Sequence, residues 1–390
     1  MKKMEREIER IGTDCCGCEA CYNSCPVDAI NIHEDTEGFF YPQIDGSKCI
    51  ECGKCDKACP IISKSYLVNR VEKPEVFAAW NKNDQIRKKS SSGGVFTALA
   101  RNAFSKKGIV IGASFEKGLN LIHKFAMDEN ELEGMRGSKY LQSRIGNCYK
   151  KAEMELKQGK LVMFTGTPCQ INGLYNYLGK DYEKLITCDL VCHGVPSKKV
   201  FDKIIGYYEN IHNSRVNMID FRYKKDSWKR YNVKILFQNN KELSMQFNKE
   251  YFMNGFIQDL YLRPSCHKCK SVGIPRCGDL TLGDFWGIEN VNPNIDYEKG
   301  VSLILVNSDK GRSFLNECLG EIESFESDLE SALKGNPCIV KSVRPHKNRE
   351  QFFRDLDSIK IDKLFGKYLH KKGMMARIRN KLTRLIHFTM

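Results

Sequence analysis

The sequence predicts two fold classes in series: a small α+β unit built on duplicated cysteine runs, then a larger mixed α/β domain. Three observations carry this. Cysteine recurs as Cys15-x2-Cys18-x2-Cys21-x3-Cys25-Pro26 and again as Cys49-x2-Cys52-x2-Cys55-x3-Cys59-Pro60. From about Pro74 short apolar runs alternate with helical stretches, the pattern of strands and helices sharing one sheet. With 41% hydrophobic residues among 390, the chain can bury a substantial core.

Thiolate is a soft donor suited to iron-sulfur clusters, and each cysteine run has the spacing of a bacterial-type [4Fe-4S] site. In two-cluster ferredoxins the cysteine before proline ligates the other cluster. The expected sets are Cys15, Cys18 and Cys21 with Cys59, and Cys49, Cys52 and Cys55 with Cys25. Structural zinc is the competing reading, but two complete four-cysteine runs are unusual for it. Disulfides fit less well. Eighteen cysteines without an apolar export signal in MKKMEREIERIG point to metal or redox chemistry in a reducing cytoplasm.

The elements follow in order. Residues 1–66 form the two-cluster ferredoxin-like domain, in which Ile30–His33 and Phe39–Ile44 read as short strands joined by a turn. Polar residues 63–74 read as a linker. The larger domain, 67–345, is expected to hold strands at Val76–Trp80, Ile109–Phe115, Leu121–Ala126, Leu161–Thr165, Leu185–Val191, Met218–Tyr223, Val233–Phe237, Leu280–Leu282 and Leu303–Val306. Helices are expected at Val95–Ser105, Ile145–Lys157, Ile171–Leu178, Lys198–His212, Lys249–Leu260 and Gly311–Cys318. Residues 346–390 read as a basic, partly amphipathic tail. Its last twenty residues hold six Lys or Arg and no acid, suited to an anionic membrane surface at the inner face, to a partner subunit, or to docking on the protein's own core.

The net charge of +14 is compatible with acidic redox partners, anionic cofactors or membranes. Nucleic acid is not expected, because no helix-turn-helix or zinc-finger spacing is present. Ser90-Ser91-Ser92-Gly93-Gly94 directly precedes the apolar helical stretch from Val95. Hydroxyls, glycines and free N–H groups at a helix start make an anion site, for which a flavin phosphate is a natural occupant; a simple helix cap is the alternative. Neither a Gly-x-Gly-x-x-Gly fingerprint nor a Walker loop occurs.

The succession SSSGGVFTALA, GSKYLQS, GTPCQINGL, CDLVCHGVPS, Cys266-x2-Cys269 and DLTLGDFWG, from about Phe77 to Ser308, resembles the coenzyme F-420 hydrogenase/dehydrogenase β-subunit family. The resemblance implies an iron-sulfur flavoprotein oxidoreductase. Members exchange a hydride between FAD and a deazaflavin or another organic substrate, and pass single electrons through [4Fe-4S] clusters to a redox partner protein or ferredoxin. The family also includes bacterial proteins of unestablished substrate and a plant-type chlorophyll-derivative reductase. A non-catalytic electron-transfer subunit and a reductase serving polysaccharide or other biosynthesis therefore stay open.

In that setting Cys169, Cys192, Cys266 and Cys269 are candidates for a third cluster; buried structural cysteines, or zinc at the Cys266–Cys269 pair, are the alternatives. Cys188 and Cys277 are possible substitutes, whereas Cys16, Cys148, Cys318 and Cys338 lack partner spacing and read as structural. The flavin candidates are Ser91, Ser92, Gly93, Gly94, Lys139, Thr167 and Asp284. Lys139 and His193 are the candidates for chemistry, the first to stabilise charge and the second to move a proton.

Overall fold

The computed structural model describes residues 6–63, 70–225 and 227–369. Near the N-terminus, β1 (Ile30–Glu34) and β2 (Phe40–Ile44) form an antiparallel pair, with Ile30 opposite Ile44. The helices Ala20–Ser24 and Lys54–Ala58 repeat the same construction: each follows a left-handed residue, Glu19 or Gly53, and each is capped at its C-terminus by a cysteine, Cys25 or Cys59. The two helices pack against each other. Each thus carries one cysteine of its own run and ends on the cysteine expected to serve the other run.

The larger unit centres on an eight-stranded mixed sheet. Its strands are β3 (Glu75–Asn81), β4 (Ile109–Phe115), β5 (Leu121–Ala126), β6 (Val162–Gly166), β7 (Leu185–Leu190), β11 (Leu280–Asp284), β12 (Ser302–Val306) and β13 (Ile322–Ser327), in the order β13-β3-β12-β11-β7-β6-β4-β5. The central β11, β7, β6 and β4 run parallel; every flanking pair is antiparallel. Parallel strands are covered on both faces, which explains the fully buried run of β6 and the nearly fully buried run of β7. The strands β8 (Val216–Tyr223), β9 (Asn232–Phe237) and β10 (Glu242–Gln246) form a separate antiparallel sheet. The mixed α/β architecture agrees with the expected fold class.

The ferredoxin-like segment is not an appendage. Cys18, Ala20 and Ala58 share a buried cluster with Ile109, Phe164, Ile171 and Leu174 of the larger unit. The helix Pro168–Leu178 comes so close at Gly173 that a Cβ there would stand 3.0 Å from both Cβ and Sγ of Cys18. The structure also departs from the expectation of a tail beginning at 346. The helices Arg349–Asp355 and Ile361–Tyr368 bury Phe352, Leu356, Leu364 and Phe365 against the helix Lys198–His212 and the three-stranded sheet. Their apolar positions outweigh their charge. The basic stretch 371–390 lies outside the described residues. Among the described residues no helix is long and apolar enough to cross a membrane.

Candidate iron-sulfur and flavin site

Three cavities collect the cysteines. Cys15, Cys18, Cys21 and Cys59 line one of about 20 Å³, walled by Ile8, Ile32 and Phe40. Cys25, Cys49, Cys52 and Cys55 line a second of about 20 Å³. The third is larger, about 110 Å³, and holds Cys169, Cys192, Cys266 and Cys269 together with Cys16 and Cys338. Among the described residues no three cysteine, histidine or acidic side chains stand close enough to share a single metal ion. A cubane asks for a different arrangement, because each thiolate binds its own iron and the sulfurs surround a volume instead of a point.

The fold explains how distant cysteines reach the large cavity. Cys169 and Cys192 follow the C-terminal ends of β6 and β7, neighbouring parallel strands, where α/β sheets place ligands. Thr167 caps the helix that begins at Pro168 and leaves its hydroxyl 3.2 Å from the Cys169 sulfur. The 3-10 turn Pro264–Lys268 brings in Cys266 and Cys269. Backbone N–H groups donate to sulfur in all three cavities: Gly17 to Cys15 at 3.4 Å, Ala29 to Cys25 at 3.2 Å, Val195 to Cys266 at 3.3 Å and Ser271 to Cys269 at 3.4 Å. Such donors favour thiolate and tune a cluster's potential. Burial pushes the free thiols of Cys21 and Cys192 upward and that of Cys266 to about 12, and the Cys169 thiol is raised by its bond with Cys16 and then by burial, so ligation there releases protons.

Cys188 and Cys277 do not line this cavity. Cys188 is buried within β7, and the Cys277 thiol donates to the Pro168 carbonyl and to Asp189, each at 3.4 Å. Cys148 and Cys318 are buried and donate to the carbonyls of His123 and Phe314. Cys16 and Cys338, read from spacing as structural, instead stand at the cavity. Adjacency hid the first of them: Cys16 sits inside the ferredoxin run, with its thiol against Cys18 on one side and Cys169 on the other.

His193 lies on the same cavity wall, with Nε2 2.6 Å from a carboxylate oxygen of Asp259 and its ring edge-on to Phe256. Lys139 is not among that cavity's lining residues. Its ammonium donates to the carbonyls of Met135, Arg136 and Gly137 at 2.9 to 3.0 Å, and burial pushes it down to about 7 while Asp220 opposes the shift.

The flavin candidates fall into two places. Ser91 and Asp284 meet at Arg222, whose guanidinium donates to both Asp284 oxygens at 2.8 and 3.1 Å and to the Ser91 carbonyl at 3.4 Å, while Ser92, Gly93 and Gly94 continue the same loop, Gly93 donating to Ser302 Oγ at 2.9 Å. Ser91 Oγ accepts from the Ser138 N–H at 2.6 Å, which ties the loop holding Lys139 to this group. Lys224, almost fully buried, donates to the carbonyls of Arg87, Ser92 and Lys299; burial and the neighbouring Arg222 push it down to about 7. Thr167 lies apart, beside Cys169. The segment 137–143 spans the two places, since Gln142 donates to the carbonyls of Cys16 and Gly17 at 3.0 and 2.9 Å.

The loop can be tested as an anion cradle on its own atoms. The helix Val95–Ser105 starts at Gly94 with no side-chain cap, and the buried donors Asn81 Nδ2 and Arg222 Nε have no hydrogen-bond partner. Free donors beside two buried cations fit a phosphate. The Ser92 hydroxyl already donates to the Val301 carbonyl at 2.7 Å, whereas the Ser91 hydroxyl accepts from Ser138 and keeps its own proton to donate. Sequence reasoning missed Arg222, Lys224 and Arg263, which stand isolated and carry no spacing signal, and it did not single out Gln142 within GSKYLQS.

Family profiles divide the chain in the same way. Residues 14–61 match a 4Fe-4S dicluster domain, residues 76–148 the coenzyme F420 hydrogenase/dehydrogenase beta subunit N-terminus, and residues 159–331 the C-terminus of that subunit. The chain belongs to the coenzyme F420 hydrogenase/dehydrogenase beta-subunit family. An uncharacterised protein of Methanocaldococcus jannaschii is 30% identical over 199 residues, 44% of this chain and 54% of that protein. One component of the Na(+)-translocating ferredoxin:NAD(+) oxidoreductase complex of Acetobacterium woodii is 39% identical over 71 residues, 18% of this chain and 19% of that protein. The chain thus spans about half the length of the first relative and less of the second. A chain of the F420-reducing [NiFe] hydrogenase complex from Methanosarcina barkeri, solved as a xenon derivative, aligns at 18% identity and a TM-score of 0.44, covering 76% of this chain and 92% of that one.

Proposed function

We propose that this beta-subunit relative is an iron-sulfur flavoprotein oxidoreductase that exchanges a hydride with an organic donor or acceptor and single electrons with a redox partner protein. The observation that carries the reading is the gathering of Cys169, Cys192, Cys266 and Cys269 around one cavity that adjoins the cavity of Cys15, Cys18, Cys21 and Cys59. Those sets, and Cys25 with Cys49, Cys52 and Cys55, would hold three [4Fe-4S] clusters. FAD, whose phosphate the Ser91–Gly94 loop would hold, supplies two-electron hydride chemistry that converts to single-electron steps.

The protein's own groups divide the remaining work. Arg222, paired with Asp284, holds a fixed guanidinium behind the loop, and Lys224 donates to the loop's Ser92 carbonyl. Asp259 orients the His193 imidazole at the large cavity, where that ring can hold or move a proton. Cys52 is exposed and Ile50 beside it is 61% exposed, which favours the second ferredoxin cavity as the contact with the partner protein. Coenzyme F-420 fits as the organic substrate by family alone, and its identity rests on a substrate screen. The test of flavin dependence is anaerobic purification followed by mixing with reduced deazaflavin or NAD(P)H. Bleaching of a bound-flavin absorbance supports the reading; protein with clusters and no flavin overturns it.

One observation favours a second reading, a non-catalytic electron-transfer subunit: the Ser92 hydroxyl is spent on the Val301 carbonyl, which leaves the Ser91 hydroxyl, backbone donors, Asn81 and Arg222 to do the binding. Flavin absent from a protein that carries all its clusters would select it.

A further inference from the structure

The small cavity of the first ferredoxin run and the large cavity of the α/β domain share two wall residues, Cys16 and Ile61. Cys16 is peptide-bonded to Cys15, and its thiol lies beside Cys18 on one cavity and Cys169 on the other, one from each expected ligand set. Its carbonyl is held by Gln142 at 3.0 Å and that of Cys15 by Arg263 at 2.7 Å, so the backbone between the two cavities is fixed. Around the large cavity Cys192 faces Cys169, Cys266 and Cys269, which already makes four thiols without Cys16.

We propose that Cys16 is a bridge and not a ligand: it carries the electron between the cluster at Cys15, Cys18, Cys21 and Cys59 and the cluster at Cys169, Cys192, Cys266 and Cys269. The inference rests on the three-cluster reading above. Electron tunnelling decays less steeply through covalent bonds and close sulfur contacts than across open space. The route from the Cys15 sulfur through two residues of chain to the Cys16 sulfur, then across to the neighbouring Cys169, leaves only one non-bonded step. In each transfer one cluster loses an electron and the other gains it; no bond forms or breaks and no proton is required. The order of sites is then the Cys49 cavity, the Cys15 cavity, Cys16 and the Cys169 cavity, with Cys16 as a positioning residue for the tunnelling path.

The test compares anaerobically purified full-length wild type with Cys16→Ala, Cys16→Ser and Cys338→Ala. Iron content is measured first, then rapid-freeze EPR follows mixing with a reduced ferredoxin. The bridge predicts unchanged iron, about twelve per chain with four for each cubane, in all four proteins. It also predicts severalfold slower appearance of the third cluster's signal in Cys16→Ala, with a milder delay in Cys16→Ser and none in Cys338→Ala. Cys16→Ser keeps the size of the side chain and so guards against a packing defect. Loss of about four irons in both Cys16 variants would make Cys16 a ligand and overturn the inference, as would unchanged kinetics. About eight irons in the wild type would instead remove the third cluster, and with it the reading on which the bridge depends.

Discussion

Arg263 donates from Nε to the main-chain carbonyl of Cys15 at 2.7 Å, while its chain leads within three residues to Cys266. The guanidinium is fully buried, lies 4.4 Å from the centre of the Tyr41 ring, and donates also to Gln142 and to the Phe40 carbonyl, each at 2.9 Å. One side chain thereby joins the first ferredoxin run to the cysteine turn of the large cavity. Gly17 completes the seat. Its φ is +69°, and a Cβ there would stand 2.3 Å from Gln142 Nε2 and 3.0 Å from Arg263.

Arg263→Lys should therefore be far from conservative, because an ammonium cannot reproduce the planar fork. Each buried carbonyl left unpaired costs about 1–3 kcal/mol. Urea unfolding should show a fall in stability of that order, and rapid-freeze EPR should show slowed transfer between the two sites. Wild-type values for both would detach Arg263 from this role.

The crossed ligand sets make a sharper prediction. Cys25→Ala, though in the first run, should remove the EPR signal of the cluster served by Cys49, Cys52 and Cys55. Cys59→Ala should remove the signal of the Cys15 cluster. Each should lower the iron content by about four per chain. Signals lost in the uncrossed order would refute the pairing that the two cavities suggest.

Lys224 makes stability depend on pH. Its folded pKa of about 7 lies below the ordinary 10.5, so between those values the unfolded chain binds more protons and stability rises with pH. The slope from one fully titrating group is about 1.4 kcal/mol per pH unit. Urea titrations at pH 7, 8 and 9 should show this rise in wild type and a flatter profile in Lys224→Met, whatever the variant's absolute stability. An identical slope in both would contradict the buried charge.

Arg276 and Asp189 form a buried ion pair at 2.5 Å beneath the large cavity, with side-chain exposures of 2% and 0%. Removing one partner strands the other charge, a loss of about 3–5 kcal/mol. Asp189→Asn should lower the denaturant midpoint accordingly, and the Arg276→Met, Asp189→Leu double variant should recover part of it. A double variant no better than the single ones would mean that Asp189 matters chiefly through its bond from the Gly278 N–H at 2.8 Å.

Local patterns made much of this protein legible. The apolar runs of β4 and β5 and the helices Val95–Ser105 and Lys198–His212 fall at the expected residues. β10 and β13 escaped because each is an edge strand whose sequence, ELSMQ or IESFES, lacks the apolar run of a covered strand. Phe352, Leu356, Leu364 and Phe365 were obscured by the charges around them. The crossed cysteine sets follow from a repeated spacing, whereas the meeting of Cys16 with Cys169 depends on how the helix Pro168–Leu178 docks on the ferredoxin unit. No local pattern encodes that contact.

The central claim is that three cysteine-lined cavities hold three clusters wired to one flavin. Its most direct test is anaerobic purification with iron, sulfide and flavin quantified in the same sample. The account predicts about twelve irons, about twelve sulfides and one flavin per chain. About eight irons with no flavin would leave only the ferredoxin module and contradict it.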